Sequence, residues 1–322
     1  MINTASVVFD KYSATGVLHV HSTRSDGLGE PEEIVHAGLE AGLDYIAFND
    51  HRNLKLMDEG WHGKLTNGLM TIIGTELQHI NLRSHLLVYG VNSINPTGHI
   101  LDQLDAVLAM NGIAIVAHPH EKRPYIPGYT GQYSWEFGTE HSFSGVEVWN
   151  WMSAWKPGVN PLNGWWRYKN PDKRVIHPPS KTVNFWRKTG GAFVGGADAH
   201  AHRIFGHEVF SYFMLFNRVR THILLDKPFT EPSQFVEALR YGKCFISNAI
   251  AGDASEYRSA IHNNELYINL PAVATIFLNG KNYGLQNKGI SSLGKVTLPL
   301  YIEIHRNNRT WIAQGYSDKR IS

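Results

Sequence analysis

Cysteine is almost missing from this sequence. Cys244 is the one cysteine among 322 residues, so an internal disulfide and a cysteine-ligated zinc site are both excluded. An excess of one charge is also missing, because 30 Lys and Arg against 28 Asp and Glu give a net charge of +2. This balance excludes a nucleic-acid binder that acts through bulk positive charge, although it leaves room for a local basic pocket.

Long hydrophobic runs are absent as well. No stretch approaches 18 consecutive apolar residues, and the first sixteen residues contain no apolar core of the kind found in signal peptides. From these absences we predict a cytoplasmic location and no membrane contact. Hydrophobic residues nevertheless make up 43% of the chain and charged residues 18%, which is the composition of a folded protein and not of a disordered one.

Strand-like and helix-like segments alternate through most of the chain. Helical patterns cover residues 31–41, 100–110 and 231–242. Short apolar segments that read as strands cover residues 17–20, 44–49, 70–75, 85–89, 113–117, 145–149 and 192–196. This alternation predicts a parallel α/β sheet or barrel.

Residues 150–180 interrupt this alternation. Five of the nine tryptophans fall in or directly before this segment: Trp149, Trp151, Trp155, Trp165 and Trp166. A long segment without periodic structure inside a compact domain is usually a lid or binding loop, and a packed flap over one end of the barrel is the alternative. Aromatic walls bind flat or apolar groups, so Trp149 is a candidate substrate contact.

The pattern changes again near residue 250. Short alternating segments with Asn-Gly and Asn-Asn turn signals follow, and they predict a small antiparallel β domain over 251–322 after a barrel domain over 1–250. Segments 266–270 (LYINL) and 296–304 (VTLPLYIEI) are candidates for pairing with another chain at a sheet edge, so a homo-oligomer is one expectation.

Histidine is the abundant residue, with 18 in the chain. Six histidines and three acids lie at or near ends of the predicted strands: His19, His21, Asp26, His51, Glu76, His85, His118, Asp198 and His200. His19 and His21 are spaced i, i+2, and so are Asp198 and His200. On a strand this spacing places both side chains on one face. Barrels assemble their chemistry at one rim from several strands, and mixed imidazole and carboxylate ligands suit zinc, manganese or iron. The pattern therefore predicts a site for several metal ions.

The motifs that carry these residues resemble the PHP (polymerase and histidinol phosphatase) superfamily of metallohydrolases. They are HVHSTRSDG (19–27), NDH (49–51), GTE (74–76), the histidine of SHLLVYG (85), AHP (117–119) and GADAH (196–200), in the order found in that family. Segments VEVWN (146–150) and ALRYGKCFISN (238–248) resemble its carbaryl-hydrolase-like branch.

This resemblance implies a distorted, TIM-like (β/α)7 barrel that holds two to three divalent ions of Mn, Fe or Zn. By position, the first ion would have the ligands His19, His21, Glu76 and Asp198. Glu76 would bridge to a second ion held by His85 and His118, and Asp26, His51 and His200 would hold a third. Some family members carry histidine at the position of Asp26, and an aspartate there favours manganese or iron over zinc.

Neighbouring metal ions of such a site activate a bridging water near neutral pH, and the resulting hydroxide can attack phosphorus. We therefore predict a metal-dependent phosphoesterase that acts on a small ester, with nucleic acid as a substrate only at nucleotide size. Cations near the ligand motifs are candidates for holding the phosphate: Arg24, Arg52, Arg203, Lys122 and Arg123. His120 and His202 are candidate proton donors to a leaving group, and Asp50 is a candidate for orienting His51.

Three alternatives remain at this point. The tryptophans suit a flat or apolar substrate, and the resemblance to the carbaryl-hydrolase-like branch implies a carboxylic or carbamic ester as the bond that is cut, which the same hydroxide can attack. An amidohydrolase barrel also begins with an HxH motif, but it would need a lysine where Glu76 stands. A non-catalytic protein that binds a glycan or protein through the tryptophans or the β tail would have little need of nine ligands.

Overall fold

The structure is a computed structural model, which describes residues 7–125, 132–204 and 207–318. We number the strands and helices of these ranges in chain order. The first thirteen strands are β1 (Tyr12–Val20), β2 (Tyr45–Phe48), β3 (Leu65–Thr66), β4 (Leu69–Ile73), β5 (Thr75–Gln78), β6 (His85–Tyr89), β7 (Ile113–Val116), β8 (Gly145–Asn150), β9 (Ala192–Ala199), β10 (Arg203–Ile204), β11 (His207–Glu208), β12 (Val219–Leu225) and β13 (Cys244–Asn248). The others are β14 (Arg258–His262), β15 (Glu265–Leu270), β16 (Ala274–Leu278), β17 (Lys281–Gln286), β18 (Gly289–Lys295), β19 (Leu300–Arg306) and β20 (Arg309–Tyr316). The helices are α1 (Pro31–Glu40), α2 (Lys55–Asp58), α3 (Ile100–Ala109), α4 (Trp151–Trp155), α5 (Gly164–Lys169), α6 (Ser180–Thr189), α7 (Tyr212–Phe216) and α8 (Pro232–Arg240).

The seven predicted strands are all present, as β1, β2, β4, β6, β7, β8 and β9. Parallel ladders join β1 to β2 and β9, β2 to β4, and β8 to β7 and β9. The sheet is mixed, however, because β6 runs antiparallel to both β5 and β7. The expectation of a parallel sheet was therefore wrong for this strand. Among the described strands, β4 and β5 follow each other without a ladder between them, and the closed barrel stays a prediction.

Local sequence signals explain where two of the helices begin. Helix α1 starts with Pro31 and has a capping box formed by Glu30 and Glu33. Helix α8 repeats this arrangement with Pro232 at its first turn. Proline suits this position because its missing N–H would have no partner inside the helix, and the capping box satisfies the first free N–H groups.

Apolar residues on both sides of the strands form the core. Strands β2, β4 and β7 are buried along their full length, as expected when both faces of a sheet are covered. On β1, Val17 packs in the cluster that includes Ile34 of α1, whereas Leu18 packs with Tyr45 in a second cluster. Neighbouring residues of a strand therefore contribute to different core layers.

The tryptophan-rich segment is not the structureless loop that we predicted. It contains α4, α5 and a short 3-10 helix at Pro171–Lys173. Trp149 and Trp151 are completely buried in the main core, whereas Trp165 and Trp166 are 71% and 52% exposed. The segment is therefore a packed flap, and the prediction that Trp149 contacts substrate is corrected because its ring belongs to the core.

The C-terminal strands form the antiparallel region that the turn signals predicted. Strands β14, β15 and β18 make a separate three-stranded sheet, while β16, β17, β19 and β20 extend the main sheet through the β13–β20 ladder. The two segments predicted at sheet edges are interior strands, because β15 lies between β14 and β18 and β19 lies between β16 and β20. That edge prediction was wrong. None of the helices in the described ranges has the length and apolar character needed to cross a membrane.

Candidate metal centre

The nine predicted ligands come from six separate parts of the fold. His19 and His21 lie at the end of β1, Asp26 in the following loop, His51 after β2, Glu76 on β5, His85 at the start of β6, His118 after β7, and Asp198 and His200 at the end of β9. Since β6 runs antiparallel to its neighbours, its first residue lies at the rim where parallel strands end. This reversal explains how His85 joins the others although it opens its strand.

Glu76 lies at the centre of the cluster, with only 1% of its surface exposed. Its Oε1 atom is 2.5 Å from His85 Nδ1 and 3.2 Å from His118 Nε2. Its Oε2 atom is 3.1 Å from His51 Nδ1, 3.2 Å from His19 Nε2 and 3.4 Å from His21 Nε2. The two oxygens of this carboxylate therefore face two different sets of histidines, as expected of a ligand that could bridge two metal ions.

Two aspartates connect the remaining ligands to this centre. Asp198 Oδ1 is 3.5 Å from His19 Nε2 and 3.6 Å from His200 Nδ1. Asp26 Oδ1 is 3.3 Å from His200 Nε2 and 3.5 Å from His51 Nε2. All nine predicted residues therefore lie in one contact network.

The donor atoms of this network fit divalent ions. Among the described residues, His19 Nε2, His21 Nε2 and His51 Nδ1 are buried without a hydrogen-bond partner. Buried polar atoms are normally paired. Four ligands at about 2.1 Å around a tetrahedral ion would lie roughly 3.4 Å from one another. The separations between these nitrogens and Glu76 Oε2, 3.1 to 3.4 Å, are close to that value, so bound metal would satisfy the unpaired nitrogens.

The carboxylates of the cluster stay ionised despite their burial. Burial alone would raise the pKa of Glu76, but His85, His19 and His51 outweigh it and hold that pKa well below its usual value. Burial alone would lower the pKa of His118, but its hydrogen bond to Glu76 and the nearby Glu121 raise it to about 9. The negative charge that favours protonated His118 also favours the binding of a metal cation.

Several of these residues have an unusual backbone conformation. His19, His118 and Asp198 have φ values of 63°, 26° and 55°. Such values are uncommon for residues other than glycine, and they concentrate at functional sites, where the surrounding structure enforces them.

Glu147, which is completely buried on β8, was not among the predicted site residues. Its Oε1 accepts a hydrogen bond from His19 Nδ1 at 2.9 Å, and its Oε2 accepts one from the His118 backbone N–H at 2.9 Å. Gly196 makes room for this carboxylate, because a Cβ there would lie 2.0 Å from Glu147 Oε1. A single acid inside the apolar strand GVEVW was the signal for this role, since a buried charge requires partners.

Lys156, directly after α4, was also missed. Its Nζ lies 3.0 Å from Glu121 Oε1 and 3.8 Å from Asp198 Oδ2. The packed flap thereby brings a positive charge to the rim of the cluster. Nothing in the spacing of residues 150–180 indicated this contact.

Two predicted roles are corrected by the contacts. Asp50 accepts hydrogen bonds from Ser22 N, Ser22 Oγ and Ser25 Oγ at 2.6–2.8 Å, so it fixes the loop after β1 and does not orient His51. Arg24 is held by the carboxylates of Glu30 and Glu59. Neither carboxylate belongs to the cluster of nine residues, so these contacts do not direct Arg24 towards the site.

The remaining predicted site residues are His120, His202, Arg52 and Arg203. His120 packs edge-on against Phe185 of α6, and its role as a proton donor stays a prediction. His202 is exposed and stacks on His200 with ring centroids 4.6 Å apart. Arg52 donates its backbone N–H to the Glu76 carbonyl at 3.1 Å, and its Nε is buried without a partner among the described residues. The side chain of Arg203 lies outside the described residues.

Residues 18–141 match the PHP domain family. A 5'-3' exoribonuclease of Haemophilus influenzae is 37% identical over 60 residues, which are 19% of this chain and 22% of that protein, so the match spans about a fifth of the curated relative. A two-domain protein of Bacteroides vulgatus that contains a predicted PHP-like metal-dependent phosphoesterase shares the fold, with a TM-score of 0.53, 14% identity, and coverage of 96% of this chain and 97% of that one. PsfC of Pseudomonas syringae gives a TM-score of 0.45 and 14% identity over 70% of this chain and 88% of that one.

The family match covers the part of the chain that supplies most of the cluster. Seven of the nine clustered residues, His19, His21, Asp26, His51, Glu76, His85 and His118, lie within residues 18–141. The match confirms the resemblance drawn from the motifs for this part of the chain: residues 18–141 match the PHP domain family.

Proposed function

We propose that this protein is a metal-dependent phosphoesterase that hydrolyses small phosphate esters. The observation that supports this proposal most directly is Glu76, a buried carboxylate whose two oxygens face two separate sets of histidines. His19, His21, Glu76 and Asp198 would hold one ion, Glu76, His85 and His118 a second, and Asp26, His51 and His200 a third. The ions are two to three of Mn, Fe or Zn.

Bound divalent ions would lower the pKa of a coordinated water and would polarise the phosphoryl group of the substrate. The chain itself fixes the ligands before substrate arrives. Glu147 holds His19 through Nδ1, which leaves Nε2 directed at the cluster, and the carbonyl of Tyr133 accepts from His118 Nδ1 at 3.0 Å. Such partners set the tautomer and the orientation of a metal-binding imidazole.

Two cations at the rim are the best candidates for binding phosphate oxygens. Arg52 follows His51, and Lys156 lies beside Asp198. A phosphate held between them and the cluster would have its negative charge compensated on both sides. His202, exposed next to His200, is placed to donate a proton to the leaving group.

The carboxylic or carbamic ester alternative has weaker support. Besides the branch resemblance it relied on an aromatic wall, of which Trp149 and Trp151 are buried in the core, whereas Trp165 and Trp166 are exposed. The name of the Haemophilus relative makes phosphodiesters of nucleotide size a reasonable part of the substrate range.

The test combines metal content with a substrate panel. Elemental mass spectrometry of the full chain should find two to three Mn, Fe or Zn ions, and the same sample should release phosphate from monoesters, nucleotides or short RNA. Glu76→Gln should lose both metal and turnover, whereas Glu40→Gln, at an exposed position on α1, should keep both. Full hydrolysis after chelation, or cleavage restricted to aryl esters and carbamates, would contradict the proposal.

A further inference from the structure

A second group of metal-type ligands lies away from the barrel cluster, where the packed flap meets the C-terminal sheet. His177 comes from the segment between α5 and α6, and Glu303 and His305 come from β19. One donor atom from each residue lies within 4.8 Å of the other two. All three side chains are partly exposed, so an ion from solvent can reach them.

The local backbone brings these side chains together. Glu303 and His305 are two residues apart on one strand and share a face. The register between β19 and β20 shifts between Ile304 and His305, which places His305 opposite Thr310. Bulges of this kind redirect side chains and are frequent near functional sites. Thr310 N donates to the Ile176 carbonyl at 2.9 Å, which fixes the neighbouring His177 against the hairpin.

The donor atoms of these three residues are close enough to share one ion. His305 Nε2 lies 3.6 Å from Glu303 Oε1, close to the roughly 3.4 Å between two ligands of a tetrahedral zinc ion. The buried Thr310 Oγ1 lies 2.7 Å from His177 Nδ1, 2.9 Å from Glu303 Oε1 and 3.5 Å from His305 Nε2. The first two contacts are hydrogen bonds through one hydroxyl, whereas 3.5 Å is at the limit of a hydrogen bond, so His305 Nε2 has the weakest of the three contacts.

We propose that His177, Glu303 and His305 form a second, structural metal site of the His₂Glu type, and that it takes zinc. Two imidazoles and a carboxylate are a donor set that zinc uses in proteins. Water supplies the fourth position. The ion joins the segment before α6 to the β19–β20 hairpin, and so ties the packed flap to the C-terminal sheet. With a single carboxylate, the site binds metal more weakly than the barrel cluster does.

The experiment counts zinc on the full chain. Protein stripped with a chelator is titrated with Zn²⁺ by calorimetry, and retained zinc is measured by elemental mass spectrometry. His177→Gln and His305→Gln should each bind one zinc fewer per chain than the unaltered protein, or bind it at least tenfold more weakly. His262→Gln, an exposed histidine on β14, should keep the full number.

A variant in the barrel cluster separates this proposal from the proposed function. His19→Asn should lose zinc from the barrel. Adding His177→Gln to this variant should remove one further zinc, whether or not the protein hydrolyses any ester. Equal zinc number and affinity in the unaltered protein, His177→Gln and His305→Gln would overturn the site.

A measurement on the unaltered protein does not depend on the variants folding. Histidine acylation by diethyl pyrocarbonate, read by peptide mass spectrometry, should be blocked by Zn²⁺ at His177 and His305 and unchanged at His262. Equal labelling of His177 and His305 with and without zinc would also overturn the site.

Discussion

Glu147 shows how a residue outside the nine predicted ligands can determine the geometry of the cluster. It accepts hydrogen bonds from His19 Nδ1, from the His118 backbone and from Asn150 Nδ2 at 2.9–3.0 Å. Two proposed ligands of different metal ions are thus aligned by one carboxylate. Because Glu147 is completely buried, its charge has to be balanced by these partners.

We expect Glu147→Gln to weaken metal binding by about 10- to 100-fold, the usual effect of losing a partner that orients a ligand. The amide has one acceptor oxygen in place of two, so His19 or His118 loses its alignment. Calorimetric titration with Mn²⁺ or Zn²⁺ measures the change, and Glu40→Gln on the surface of α1 serves as the control. Metal affinity equal to that of the unaltered protein would show that Glu147 has no orienting role.

Lys156 gives a separate prediction about substrate. Lys156→Met should lower kcat/KM for phosphate esters by about 10- to 100-fold, the range expected when a hydrogen bond to a charged group is lost, while metal content stays constant. Lys173→Met, an exposed lysine of the same flap, should leave the kinetics unchanged. Because the change also leaves Glu121 without this partner, thermal stability has to be measured in parallel. Unaltered kinetics in Lys156→Met would exclude it from substrate binding.

At the scale of elements, the direction of β6 decides whether the cluster is complete. An antiparallel β6 brings His85 to the rim where β7 and β9 end. If β6 ran parallel to its neighbours, its first residue would lie at the opposite end of the sheet. Spacing along the sequence does not distinguish these two directions, since both give the same apolar strand pattern.

Strand β12 carries a buried histidine that gives a pH-dependent prediction. His222 lies between Thr15 Oγ1 on β1 and Ser247 Oγ on β13, at 2.9 and 2.8 Å. Burial, together with the nearby Arg220, lowers the pKa of His222 to about 3. The folded protein therefore keeps this ring neutral, whereas the unfolded chain protonates it below pH about 6.5. The stability that depends on the neutral ring is complete above that pH and falls as the pH decreases towards 3.

His222→Gln should remove this part of the acid sensitivity. From pH 7.5 to 5.5, the free energy of unfolding of the unaltered protein should fall by about 1.4 kcal/mol more than that of the variant. Urea unfolding of the metal-loaded protein at both values measures the difference. His262→Gln should behave like the unaltered protein, and equal pH dependence in His222→Gln would contradict a buried neutral ring.

At the scale of the whole molecule, four of the C-terminal strands, β16, β17, β19 and β20, are part of the main sheet. Strand β20 pairs with β13, and Trp311 packs in one cluster with Leu224 of β12 and Phe245 of β13. The boundary predicted at residue 250 therefore cuts through a shared core. Contacts of this kind make the two parts dependent on each other for stability.

A chain that ends at residue 250 should not fold stably. Without β20, strand β13 loses the backbone hydrogen bonds that join these two strands, and the side chains of Leu224 and Phe245 become exposed to water. Expression of residues 1–250 should give aggregated protein or a fragment without cooperative melting, judged by size-exclusion chromatography and calorimetry. A monomeric fragment that melts cooperatively and binds two to three metal ions would show that the boundary is a true domain limit.

Short local patterns were enough to predict seven of the strands, the helix that begins at Pro31 and the identity of the nine clustered residues. These patterns are an apolar run, a proline at the start of a helix, or a polar motif at a strand end. The direction of β6, the burial of Trp149 and the contacts of Glu147 and Lys156 emerged only from the folded chain. Each of those depends on residues that are distant in the chain, and packing between distant segments leaves no periodic trace in the sequence.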